Sequence, residues 1–106
     1  MVQQPTLTIP GASRTQYPFT LFPWGTAFRR FGAVYVVLRR QHDGRYQLLY
    51  VGQTMDMSER FLAHHKLACF QRYGQTHIGV FAEPSEARQR AIERDLIAAH
   101  QPPCNG

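Results

Sequence analysis

Lysine is almost missing from this chain: Lys66 is the one lysine among twelve basic residues. A guanidinium presents a planar fork of donors that matches a phosphate, where lysine offers a point charge. The bias leans toward a nucleic-acid partner, although codon usage in a GC-rich genome would produce the same ratio. Acidic residues are also few, seven in all, so the formal net charge is +5. That supplies the electrostatic half of a nucleic-acid footprint. Cysteine is scarce too. Cys69 and Cys104 are too few for a disulfide scaffold, and both read as small buried hydrophobes in a reducing compartment. No stretch approaches eighteen apolar residues, and no N-terminal apolar run ends at a small-residue cleavage site. The expectation is a soluble, cytoplasmic protein with no membrane partner and no small-molecule cofactor.

With 106 residues the chain has room for one domain and a modest core. Residues 1–16 hold Pro5, Pro10 and Gly11 among polar residues, which suggests an irregular arm or a short edge strand. Tyr17, Phe19, Leu21, Phe22 and Trp24 then crowd together between Pro18 and Pro23. The prolines argue against a helix or a central strand, so an extended segment packed on the core is expected. An aromatic platform for stacking bases is the sharper alternative. Residues 1–31 are thus read as an N-terminal arm, and 32–106 as the domain proper.

Ala33 to Leu38 is a nearly continuous β-prone run, the pattern of a strand buried on both faces. Asp43-Gly44 marks a turn, and Tyr46 to Val51 returns as the second strand of a hairpin. Gly52 is expected to end that strand. Asp56 and Glu59 have the spacing of a capping box and predict a helix from Met57 to Phe70, closed by Tyr73-Gly74. On that helix Arg60 and His64, four residues apart, would stack one turn above the other and suit an anionic ligand. Thr76 to Ala82 reads as a third strand, and Pro84-Ser85 opens a helix reaching His100. Glu93 falls at the shoulder of the apolar stripe of Ile92, Leu96 and Ala99, an unusual place for a carboxylate unless paired or ligating. A pair with Arg90 is the ordinary explanation.

Ala33-Val34-Tyr35, Tyr50-Val51-Gly52, Arg60 with His64, Glu93 with Leu96-Ile97, Pro103 and Asn105 form an ordered set that resembles the GIY-YIG nuclease domain. The resemblance runs from Gly32 to Asn105. Ala33 stands in place of the first glycine of the family's name motif and Val51 in place of its isoleucine. It implies a small α/β (α+β) sandwich with a central three-stranded antiparallel sheet flanked by helices. It also implies hydrolysis of phosphodiester bonds in DNA with one divalent cation, Mg²⁺ or Mn²⁺. Carried over, Glu93 is the metal ligand, and Tyr35 or Tyr50 is the general base. Arg60 holds the scissile phosphate, His64 assists by hydrogen bonding or proton transfer, Asn105 buttresses the site, and Gly52 lets the strand end come close. A phenol is a poor base at neutral pH, and a nearby guanidinium and cation would favour its phenolate.

The chain has no room for a separate DNA-reading domain, which leaves specificity to the arm or to a protein partner. A non-catalytic nucleic-acid-binding or adaptor module would use the same residues. A zinc site is a third reading, because His65-x-x-x-Cys69 and His100-x-x-x-Cys104 repeat one spacing. His42 and His77 are most simply surface residues.

Overall fold

The structure, a computed structural model, describes residues 4–59 and 64–106. It is an α+β fold: the described residues form one antiparallel sheet of five strands in the order β1-β2-β5-β3-β4, with two helices. The strands are β1 (Thr6–Pro10), β2 (Gln16–Pro23), β3 (Ala33–Arg40), β4 (Tyr46–Thr54) and β5 (His77–Ala82); the helices are α1 (Leu67–Tyr73) and α2 (Glu86–His100). None of the described helices is long and apolar enough to cross a membrane.

The β3–β4 hairpin, β5 and α2 form where the sequence places them. Gly44 takes φ +85° in the hairpin turn, a conformation glycine adopts without strain. Ser85 caps α2 by accepting from the Arg88 N–H, and Gly74 closes α1 in the left-handed conformation. Strand β3 is buried on both faces. Val34, Val36 and Leu38 pack with Phe19, Leu21 and the α2 residues Ile92 and Leu96. Ala33, Tyr35 and Val37 pack on the other face with Met57, Phe70 and Cys104.

Three expectations are corrected. Within residues 4–31, β1 is a short edge strand, one of the two readings of this stretch, and β1 and β2 extend the sheet past β5, making five strands rather than three among the described residues. Strand β2 lies inside the sheet despite Pro18 and Pro23. Its register explains how: residues 16–20 pair with β1 and residues 20–23 with β5. Each proline therefore has a neighbouring strand on one side only, where its missing N–H costs no ladder bond. Phe19 and Leu21 are wholly buried in that strand, which removes them from any base-stacking platform.

The second correction concerns Gly52, which lies inside β4 and does not end it; the strand continues to Thr54. The third concerns the helix expected over 57–70. The Asp56 carboxylate accepts from the Ser58 N–H and hydroxyl and pairs with Arg30. Met57 N–H donates to the Phe31 carbonyl, which ties it to the β2–β3 connection. Asp56 thus closes a local turn; residues 57–59 and 64–66 are not helical, and α1 starts at Leu67, with Lys66 as an N-cap lacking a side-chain hydrogen bond.

Candidate active site

Two tyrosines meet on the face of the sheet opposite α2, and a bulge brings them there. Tyr35 sits opposite Gly52 and Val37 opposite Tyr50, but Leu38 is opposite Leu48, so Leu49 is an extra residue in β4. Tyr46 and Leu48 face the α2 side. Strict alternation would put Tyr50 on that side as well; the extra residue turns both Leu49 and Tyr50 to the face of Tyr35. The two phenol rings lie 6.1 Å apart. Gly52 is the floor beneath them. A Cβ there would fall 2.5 Å from Tyr35 Cζ and 2.7 Å from Tyr50 Cε2. Close approach explains this glycine, and left-handed backbone does not, since its φ is not positive.

His64 completes the group from the segment before α1. Its Nε2 is 2.7 Å from Tyr35 Oη, and its ring packs edge-on against Tyr50 at 5.2 Å and tilted against Phe70 at 5.1 Å. Nδ1 is 3.0 Å from the Lys66 backbone nitrogen. A backbone N–H can only donate, so Nδ1 accepts, and a neutral ring carries its proton on Nε2. Burial, with His65 and Lys66 nearby, pushes the His64 pKa down to about 4 and keeps the ring neutral near pH 7. His64 therefore donates to Tyr35 Oη. The Tyr35 and Tyr50 hydroxyls are coupled by a hydrogen bond, a minor influence on the pKa of each beside burial. The polarity runs from Lys66 N–H through His64 to Tyr35.

Glu93 acts on both phenols. Burial is the main cause that raises the pKa of Tyr35 and of Tyr50, and the negative charge of Glu93 adds to it in each. Glu93 itself is half-buried, and desolvation raises its pKa against the opposing pull of Arg90 and Arg94. The pair with Arg90 does not form: Arg90 bonds Glu86 at 2.6 Å, and Glu93 takes part in no ion pair among the described residues. A desolvated carboxylate with no ion pair among the described residues suits a hard cation that keeps most of its waters. No group of three or more His, Cys, Asp or Glu side chains gathers among the described residues.

Asn105 clamps the edge of β4. Its Oδ1 accepts from the Val51 N–H and its Nδ2 donates to the Val51 carbonyl, both at 2.9 Å. The amide thereby satisfies the two backbone groups that a neighbouring strand would otherwise take. One residue earlier, the Cys104 N–H donates to the Leu49 carbonyl at 2.9 Å, so the tail also holds the bulge. Tyr35, Tyr50, Gly52, His64 and Asn105 are thus gathered around one stretch of β4, with the charge of Glu93 acting on the two phenols. Arg60 lies outside the described residues. His64 is described and is not helical.

Cys69 and Cys104 are joined in a disulfide, against the expectation of two unpaired cysteines. It takes both thiols from the zinc reading and removes the cysteine argument for a reducing compartment. The pairing, the bulge at Leu49 and the backbone N–H of Lys66 were missed in the sequence, where none of them leaves a local signal. His65 is exposed and stacks on His64 at 4.5 Å. A groove of about 690 Å³ beside α2, lined by Tyr17, Arg94 and Asp95 among others, shares no residue with the site. Its carboxylate is already bonded by Ser13 and Tyr17. No protein-family model, curated protein or solved structure matches the chain.

Proposed function

We propose that this protein is an endonuclease that hydrolyses phosphodiester bonds in DNA with one divalent cation, Mg²⁺ or Mn²⁺, on a GIY-YIG-type plan. The reading is supported by one observation above all: Tyr35, Tyr50 and His64 cluster beside Gly52, Tyr35 is hydrogen-bonded to His64, and the charge of Glu93 acts on both phenols. On this reading β5-β3-β4 is the three-stranded core of the family, enlarged by β1 and β2.

Tyr50 is the better general base. It is partly exposed while Tyr35 is buried, so an attacking water can reach it. Tyr50 would take a proton from the attacking water as the new P–O bond forms and the bond to the leaving sugar oxygen breaks. His64 and Tyr35 hold Tyr50 in place and supply the donor its anion needs. Arg60, by resemblance alone, would hold the scissile phosphate. Glu93 would hold the cation, which when bound neutralises the carboxylate, lowers both phenol pKa values and stabilises charge on the phosphoryl oxygens. Asn105 keeps the β4 edge in register. DNA specificity would come from a protein partner, since residues 6–23 belong to the sheet.

A second reading, a nucleic-acid-binding module without catalysis, is favoured by one fact: both phenols are held protonated. Plasmid, branched DNA and RNA incubated with the protein in Mg²⁺ or Mn²⁺ separate the two. Cleavage abolished by Glu93→Ala and by Arg60→Ala, in folded variants, supports the nuclease. Equal activity in either variant sinks the assignment, and DNA binding with no cleavage establishes the adaptor.

A further inference from the structure

Two weakly supported elements flank the tyrosine pair, and the disulfide joins them. On one side is α1, seven residues long, with no side-chain N-cap and with Phe70 as its buried residue. A helix of that length is marginal without tertiary support. His64 immediately precedes it and is oriented through the Lys66 N–H. On the other side is the tail after α2. The chain leaves the helix through Gln101 in the left-handed conformation, and the tail then binds β4 through Cys104 N–H and the Asn105 amide. Lys66 Nζ donates to the Gly106 carbonyl at 3.3 Å, a further link between the two elements. Cys69 belongs to α1 and Cys104 to the tail, so the S–S bond crosses from one flank to the other and joins no strand.

The bond of greatest consequence is that from Cys104 N–H to the Leu49 carbonyl. Leu49 is the extra residue that turns Tyr50 toward Tyr35. Docking of the tail and the direction of Tyr50 are therefore one structural event, and the disulfide keeps the tail within reach of β4.

We propose that Cys69–Cys104 is a redox latch on this site: oxidised, it holds the tail on the Leu49 bulge; reduced by a dithiol, it releases the tail and unsettles Tyr50. A thiolate of the dithiol attacks the sulfur of Cys69, the less buried of the two, and Cys104 departs as a thiolate. The second thiol of the reagent then displaces Cys69. Two electrons pass to the protein, which gains two thiols, and the reagent leaves as a disulfide. That this regulates cleavage rests on the nuclease reading; the movement of the tail does not.

Amide hydrogen exchange on the full chain, with and without dithiothreitol, tests it. Reduction should speed exchange at Val51 and Cys104 at least tenfold and leave Val36 and Val80 in the sheet unchanged. Cys69→Ser should exchange like the reduced protein under both conditions. Equal protection at Val51 and Cys104 in both redox states overturns the latch, as does loss of protection throughout the sheet on reduction. Two free thiols in protein purified without reductant overturn it as well. With Mg²⁺ and plasmid, cleavage should fall on reduction and return on reoxidation. Redox-dependent exchange with no cleavage in either state keeps the latch and defeats the nuclease reading.

Discussion

Replacing Gly52 with alanine is the sharpest test of how the site is built. The added Cβ would lie 2.5 Å from Tyr35 Cζ, 2.6 Å from its Oη and 2.7 Å from Tyr50 Cε2. Carbon atoms rest about 3.5–4.0 Å apart, so the two rings must retreat by roughly 1 Å. Tyr35 is 5% exposed and has little space in which to do so. Overpacking of this kind costs about 1–3 kcal/mol. Alanine restores about 0.5–1 kcal/mol by restricting the unfolded backbone, which leaves a net loss near 1–2 kcal/mol. Urea denaturation should show that loss at unchanged m-value. Gly79→Ala is the control: its Cβ would meet Val36, Phe19 and Leu21 on the other face, at 2.7 to 3.3 Å. It should destabilise comparably and leave the 2.7 Å Tyr35–His64 bond in place. Any cleavage activity should fall about a hundredfold in Gly52→Ala and little in Gly79→Ala, because a misplacement near 1 Å costs about that much. The double variant with Tyr35→Leu should recover part of the stability. A Gly52→Ala protein as stable as the wild type, or one whose loss is unaffected by Tyr35→Leu, would refute the floor assigned to this glycine.

Asn105→Ala should cost about 1–2 kcal/mol in urea denaturation at fixed redox state, because the Val51 N–H and carbonyl lose both partners; a neutral result would show that the clamp carries no stability. Tyr50→Phe should abolish cleavage, while Tyr35→Phe should reduce kcat and leave a remnant, and the reverse order would exchange their roles. His64 has a folded pKa of about 4 against an ordinary 6.5, so it favours the folded state fully above pH 6.5. That stability is lost as the pH falls from 6.5 toward 4, where the unfolded chain binds the proton first. Glu93, raised by burial, has the opposite sign, so the check is the difference in Tm against pH between wild type and His64→Gln. An identical slope below pH 6.5 in the two proteins would mean that His64 is not buried as described. In isothermal titration, Mn²⁺ binding should vanish in Glu93→Gln and weaken as the pH falls through the raised Glu93 pKa, and retained binding would place the cation elsewhere.

Local pattern was enough for the elements whose stability is local. The Asp43-Gly44 turn, the two-faced apolar run of β3, the Ser85 cap and the Gly74 stop each follow from a few adjacent residues. So does the odd place of Glu93 beside Ile92 and Leu96. The α1 boundary failed because Asp56 has two local uses, a helix cap and a turn, and the pull of Phe31 and Arg30 selected the turn. β2 was excluded on its prolines, yet whether a proline breaks a ladder depends on which neighbours that stretch of strand has, and its neighbours come from residues far along the chain.

Tyr50, His64 and Glu93 stood out in the sequence by type and place, while Tyr35 and Asn105, and the nearness of the two tyrosines, were implied only by the resemblance. How they assemble was not legible. Tyr50 points at Tyr35 because one extra residue shifts the phase of β4, and a phase shift of one residue leaves the composition of the strand unchanged. Cys69 finds Cys104 across 35 residues because the tail folds back onto the edge of β4, a route set by packing between distant segments. Sequence determined what each segment can be. Tertiary contacts decided which face its side chains share, because that choice depends on free energies summed over partners that no single segment contains.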